Sequence, residues 1–181
     1  LKEAEAIWEQ PSGKNLFENP KTDGVRVIDE GVAFIISNIL SDNGARTAAF
    51  GSNSVLNVPG KTVSVKTGTT DQKRDNWTIG YTPLIATGVW VGNNDNSVMD
   101  PKIASGVTGA SPIWQKIMIA ALKDKPNEVP AKPEGVIEME IDGLMGAQAR
   151  DGTPKRKEYF TKSTEPTSVS PAYQRLKVCK V

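Results

Sequence analysis

The chain reads as an α+β domain in which an antiparallel sheet is flanked by helices. Three observations carry this reading. Two stretches, Glu30 to Leu40 and Ser111 to Lys123, place apolar residues at helical spacing. Between them, Thr62 to Thr69, Trp77 to Thr82 and Leu84 to Gly92 alternate apolar with small or polar residues. The Thr82-Pro83-Leu84 link is too short for a crossover, so the strands it joins run antiparallel as neighbours.

Taken in order, Ala4 to Gln10 and Lys14 to Glu18 flank the turn Pro11-Ser12-Gly13 and read as a hairpin anchored by Ile7, Trp8, Leu16 and Phe17. Asp29 is placed to cap the first helix, whose apolar side is Val32, Ile35, Ile36, Ile39 and Leu40. That helix should stop before Asp42-Asn43-Gly44. Ala45 to Pro59 is small and polar and reads as loop. After the three strands, Asn93 to Gly109 is again loop. Ser111 then suits an N-cap with Pro112 at the first helical position. Ile113, Trp114, Ile117, Met118 and Ala121 form the expected buried side of this second helix. Pro126 to Pro133 is a linker, Val136 to Ile141 a short strand, and the remaining tail is thinly apolar, with a last strand at most around Leu176, Val178 and Val181. The expected division is 1–125 for the main unit and 126–181 for a linker and C-terminal extension with little regular structure.

Composition narrows the chemistry. With no histidine, a Ser-His-Asp triad is excluded and acyl transfer would need a lysine base. The single cysteine, Cys179, excludes an internal disulfide and a thiolate zinc cluster. A formal net charge of +1 gives no electrostatic footprint for nucleic acid. No apolar run reaches the roughly 20 residues of a membrane span. Leu1 runs directly into structured-looking sequence, so the chain is expected to be a piece of a longer protein.

The chemically suggestive stretch is Gly60 to Thr70, where alternation ends in Lys66-Thr67-Gly68-Thr69-Thr70. A lysine followed by hydroxyls and a glycine late in a strand suits an anion or an activated hydroxyl. The plainer reading is a strand leaving its sheet through a Lys-Thr-Gly turn, with threonines chosen as good strand formers. Trp77, Trp90 and Trp114 read as core residues, and Arg74 with Asp75 as a surface pair.

Several blocks in order carry a resemblance: Lys66 to Thr70, Arg74-Asp75-Asn76-Trp77, Gly80-Tyr81-Thr82-Pro83, Gly88-Val89-Trp90-Val91-Gly92 and Ala104 to Trp114. Together they resemble the C-terminal part of the transpeptidase domain of class A (bifunctional) penicillin-binding proteins, over roughly Leu1 to Lys123. The resemblance implies part of the penicillin-binding and serine beta-lactamase-like transpeptidase fold. It implies a peptidoglycan D,D-transpeptidase acting through a serine acyl-enzyme, of which this chain is the half carrying Lys-Thr-Gly. The alternatives are a D,D-carboxypeptidase or beta-lactamase relative, and a non-catalytic cell-wall binding module. The family's Ser-x-x-Lys and Ser-x-Asn motifs are expected upstream of Leu1, which would leave the isolated chain inactive.

By this resemblance Lys66 and Thr69 are catalytic: Lys66 supplies charge near the nucleophile, and the Thr69 N–H belongs to the oxyanion hole. Thr67, Gly68, Thr69 and Thr70 are substrate-binding, with the hydroxyls of Thr67 and Thr69 on a donor carboxylate and Gly68 permitting close approach. Pleat parity sets Lys66 opposite Thr67, so one pocket for all three needs twist or a bulge. The resemblance implies no cofactor, metal or nucleic acid. It implies peptidoglycan stem peptides and beta-lactams as ligands, and the upstream part of the same domain as partner. The parent protein would have a glycosyltransferase domain and a membrane anchor, with this part on the extracytoplasmic side.

Overall fold

The computed structural model describes residues 25–173. The hairpin expected over Ala4 to Glu18 and the strand expected near Leu176 lie outside the described residues. The element order is α1 (Glu30–Ser41), α2 (Asn43–Phe50), β1 (Ser64–Thr69), β2 (Asp75–Tyr81), β3 (Ala86–Gly92), α3 (Ala110–Leu122), β4 (Val136–Asp142) and β5 (Lys155–Thr161). This is the expected α+β architecture, built from an antiparallel sheet in the order β1-β2-β3 and a β4–β5 hairpin.

Asp29 caps α1 as its sequence position requires. Its Oδ1 accepts from the N–H groups of Gly31 and Val32 at 2.9 and 3.0 Å, satisfying two donors the helix cannot. The apolar stripe of α1 does not face the core, however. Val32, Ile36 and Ile39 are exposed, and Gly31 and Ser37 are the buried positions. The seam is close and polar: Ser37 Oγ meets the Tyr81 hydroxyl at 2.9 Å, and Ser64 Oγ donates to the Ser37 carbonyl at 2.7 Å. Phe34 meets Tyr159 of β5 edge to face, with ring centroids 5.2 Å apart.

The segment read as loop after α1 contains a second helix. Asp42 turns the chain with φ −73° and ψ 94°, and its Oδ1 accepts from the Ala45 N–H to start α2. Gly51 at φ 75° ends it.

The core lies on the opposite side of the sheet, between α3 and the strands. Trp114, Met118 and Leu122 of α3 pack with Val65, Val89, Leu56 and Val58. Gly80 of β2 is necessary here, because a Cβ at that position would sit 2.3 Å from Trp114 Cζ2. The cap of α3 differs from expectation. The helix starts one residue earlier, at Ala110, and its N-cap Gly109 offers no side chain. Ser111 is instead fully buried, with its hydroxyl 2.8 Å from that of Thr78. The helix N-terminus is served from β2: Asn76 Oδ1 accepts from the Ala110 N–H and its Nδ2 donates to the Ile103 carbonyl, both at 2.9 Å. The expected buried side is also rotated, with Ile113 and Ile117 exposed and Ala110, Ser111 and Leu122 buried.

The hairpin β4–β5 packs against α1, where Thr161 and Val136 crowd Gly31. Its strands are sorted by charge: Lys157 pairs with Glu138 at 3.1 Å and Lys155 with Glu140 at 3.6 Å. The Glu138 carboxylate raises the Lys157 pKa above its ordinary value, chiefly through their hydrogen bond and then through charge attraction.

Candidate functional site

β1 is an edge strand among the described residues; its last four residues carry the candidates Lys66 to Thr69, and Thr70 follows directly. The pairing register settles which way each points. Lys66 pairs with Ile79, and Gly68 with Trp77, so these four share one face. α1 covers only the Ser64 and Tyr81 end of that face. Lys66, Trp77, Ile79 and Trp90 are left exposed, with Trp77 at 45% and Trp90 at 42%. These two tryptophans are therefore not core residues, whereas Trp114 at 0% is. Trp90 Nε1 donates to Asp75 Oδ2 at 3.0 Å, and the ring lies over Gly92, where a Cβ would come within 2.5 Å of it. Asp75 consequently serves Trp90 rather than Arg74. Arg74 donates to Gln72 Oε1 at 2.6 Å and to the Asn96 carbonyl.

Thr67 and Thr69 occupy the other face. The Thr67 Cβ lies against Gly106, where a Cβ would approach it to 2.9 Å, and Thr69 Oγ1 accepts from the Gly106 N–H at 3.1 Å. Thr70 closes the β1–β2 turn, with Oγ1 accepting from the N–H groups of Arg74 and Asp75 at 3.0 and 3.2 Å. Lys66 Nζ donates to the Thr67 carbonyl at 2.6 Å. A Cβ at Gly68 would meet nothing nearer than the Trp77 Cβ at 3.9 Å, so no neighbour within this chain requires glycine there. The strand thus divides the candidate residues between two faces, as pleat parity requires. Lys66 and Thr67 nevertheless both line the hollow between α1, α2 and the edge of β1.

Ser41-Asp42-Asn43 does have the Ser-x-Asn order, contrary to the expectation that the motif lies upstream. Its groups are engaged in joining two helices. Ser41 Oγ donates to the Asn38 carbonyl at 2.9 Å and Asp42 caps α2. No Ser-x-x-Lys occurs in the sequence.

A feature that sequence reading missed lies beside β1. Arg46 of α2 points into a cleft shared by α1, α2 and β1, where burial pushes its pKa below the ordinary value and the field of Asp42 opposes the shift. Its signal was hidden because α2 itself reads as loop. Among the described residues no cluster of acidic, histidine or cysteine side chains could hold a metal ion. Among them, too, no helix is long and apolar enough to cross a membrane.

The chain matches a family model described as the penicillin-binding protein 1A C-terminal domain, over residues 132–175. It is 35% identical over 150 residues to penicillin-binding protein 1A of Pseudomonas aeruginosa, covering 82% of this chain and 18% of that protein. It is 34% identical over 164 residues to penicillin-binding protein 2D of Bacillus subtilis, covering 87% and 23%. The crystal structure of penicillin-binding protein 1A from Haemophilus influenzae superposes with a TM-score of 0.67 at 32% identity, over 80% of this chain and 22% of that one. The chain therefore spans about a fifth of the length of the curated relatives it matches.

These matches overturn the expectation that the chain is the Lys-Thr-Gly half of an active D,D-transpeptidase. The matched family model is a non-catalytic C-terminal domain, and residues 132–175 do not include Lys66 to Thr70. The chain corresponds to the C-terminal part of a penicillin-binding protein 1A-like protein.

Proposed function

We propose that this chain is a non-catalytic cell-wall binding module of its parent protein. The observation that carries the reading is the match of residues 132–175 to the penicillin-binding protein 1A C-terminal domain. The parent is a membrane-anchored cell-wall enzyme of the serine transpeptidase type with a glycosyltransferase domain. Its catalytic chemistry lies elsewhere in its length, and this part is extracytoplasmic.

The ligand on this reading is peptidoglycan, through the carboxylates of its stem peptides. Two features of the β1 edge support it. Lys66 is an exposed cation, and the open space beside Gly68 admits a ligand to the strand backbone. Thr67, Thr69 and Thr70 offer hydroxyls along the same strand end. The test is co-sedimentation with purified sacculi. The chain should pellet with them, Lys66→Ala should release a large part of it, and fluorescent penicillin should leave it unlabelled. A chain that stays in the supernatant overturns the binding role, and covalent labelling overturns the non-catalytic one.

A further inference from the structure

A hollow of about 330 Å³ lies where α1, the linker after α3 and β5 meet. That volume suits a small ligand or one unit of a larger one. Its apolar part is chiefly aromatic. Phe34 and Tyr159, set edge to face with centroids 5.2 Å apart, both line it, and Val129 and Pro130 of the linker join them.

The polar groups differ in what they have left to offer. Ser41 Oγ donates to the Asn38 carbonyl, and Thr62 Oγ1 accepts from Asn127 Nδ2. The Asn38 side-chain amide and the Tyr159 hydroxyl also line the hollow and meet no hydrogen-bonding partner among the described residues. Asn38 is exposed and Tyr159 half-buried, so neither residue is sealed from solvent. Among the described residues the hollow carries one charge, Lys132, whose ammonium donates to the Val136 carbonyl at 2.7 Å, and no carboxylate lines it. A cation would find no counter-charge there, and an anion only a lysine already engaged. A purely apolar ligand would strip water from the Asn38 amide and return no hydrogen bond. The lining therefore suits a neutral molecule that has an apolar face and several hydroxyl or amide groups.

We propose that this hollow binds an N-acetylated amino sugar of a glycan strand. The C–H face of the pyranose ring lies on the Tyr159 ring. The acetamido group exchanges hydrogen bonds with the Asn38 amide, which both donates and accepts, and its methyl meets Val129 and Pro130. Lys132 and Tyr159 fall within residues 132–175, the segment matched by the family model, whereas Asn38 belongs to α1. The site is thus complete only where that segment packs on the rest of the chain. The inference rests on the cell-wall reading for the source of the sugar, and adds a saccharide site to the strand end that carries Lys66.

The probe is N,N′,N″-triacetylchitotriose, compared with cellotriose, which keeps the linked pyranose rings but lacks the acetamido groups. An NMR titration of the chain should show the acetylated trisaccharide binding about 5-fold more tightly, the ratio expected of one neutral hydrogen bond. It should also shift the Asn38 side-chain amide and Tyr159 ring signals. Asn38→Ala should bring the two trisaccharides to the same affinity. Tyr159→Ala should weaken both about 10-fold, and Tyr159→Phe, which keeps the ring, should recover most of that loss. If Tyr159→Ala fails to fold, Asn38→Ala and the shifts in the unaltered chain decide. Equal binding of the two trisaccharides to the unaltered chain, or shifts that bypass Asn38 and Tyr159, overturns the proposal. A chain that pellets with sacculi but does not bind the acetylated trisaccharide overturns this site and leaves the cell-wall reading standing. One that binds the trisaccharide but stays off sacculi does the reverse.

Discussion

Replacing Gly80 by alanine tests the packing of the core most directly. The new methyl carbon would sit 2.3 Å from Trp114 Cζ2, 2.9 Å from Cε2 and 3.0 Å from the Ser64 carbonyl oxygen. Ordinary carbon contacts begin near 3.5 Å, so the indole must withdraw by roughly 1.2 Å. It is fully buried and cannot withdraw into solvent. The strand cannot yield easily either, because Gly80 pairs with Val65 on one side and Thr87 on the other. Overpacking of this kind costs about 1–3 kcal/mol. The entropy gained by replacing a strand glycine returns about 0.5–1 kcal/mol, leaving a net loss of about 1 kcal/mol. With a urea dependence of about 2 kcal/mol per molar, the unfolding midpoint followed by far-UV circular dichroism should fall by about 0.5 M. Trp114→Phe removes the clashing ring edge, and also an indole N–H that is buried without an acceptor. The double variant should therefore be more stable than the sum of the single losses by about 1 kcal/mol or more. An unchanged midpoint for Gly80→Ala, or strict additivity, would refute the argument.

Other outcomes follow from single interactions. Asn76→Ala leaves the buried Ala110 N–H and the part-buried Ile103 carbonyl without their partner and should cost about 1–3 kcal/mol by the same denaturation assay. Asp29→Ala removes the α1 cap and should cost about 1 kcal/mol, restored in large part by Asp29→Ser. An NMR titration of Lys157 should show its raised pKa falling back in Glu138→Gln. Because the folded pKa is raised, the contribution of this pair is full below the ordinary lysine value and is lost as pH climbs through the folded one. A lysine signal indifferent to Glu138→Gln would contradict the pairing.

Much of this fold was legible because local chemistry decided it. Asp29 caps the helix that follows it, and the three strands announce themselves by alternation. What escaped was decided at a distance. The cap of α3 comes from Asn76, 34 residues earlier, so Ser111 was free to be buried against Thr78. β5, Lys-Arg-Lys-Glu-Tyr-Phe-Thr, shows no apolar alternation because its charges answer the acids of β4. The small residues of α2 resemble a loop until Asp42 is seen to start a helix there, and with that helix Arg46 was overlooked. At the site, strand parity correctly separated Lys66 from Thr67. The exposure of Trp77 and Trp90 could not be read from residue type, since an aromatic signals a need for contact without saying on which face it lies.

That separation at the edge of β1 has a consequence for recognition. Lys66 and Thr67 leave the strand toward opposite faces, yet both line one hollow along its open border. A ligand that meets both therefore approaches along that border rather than from either face of the sheet.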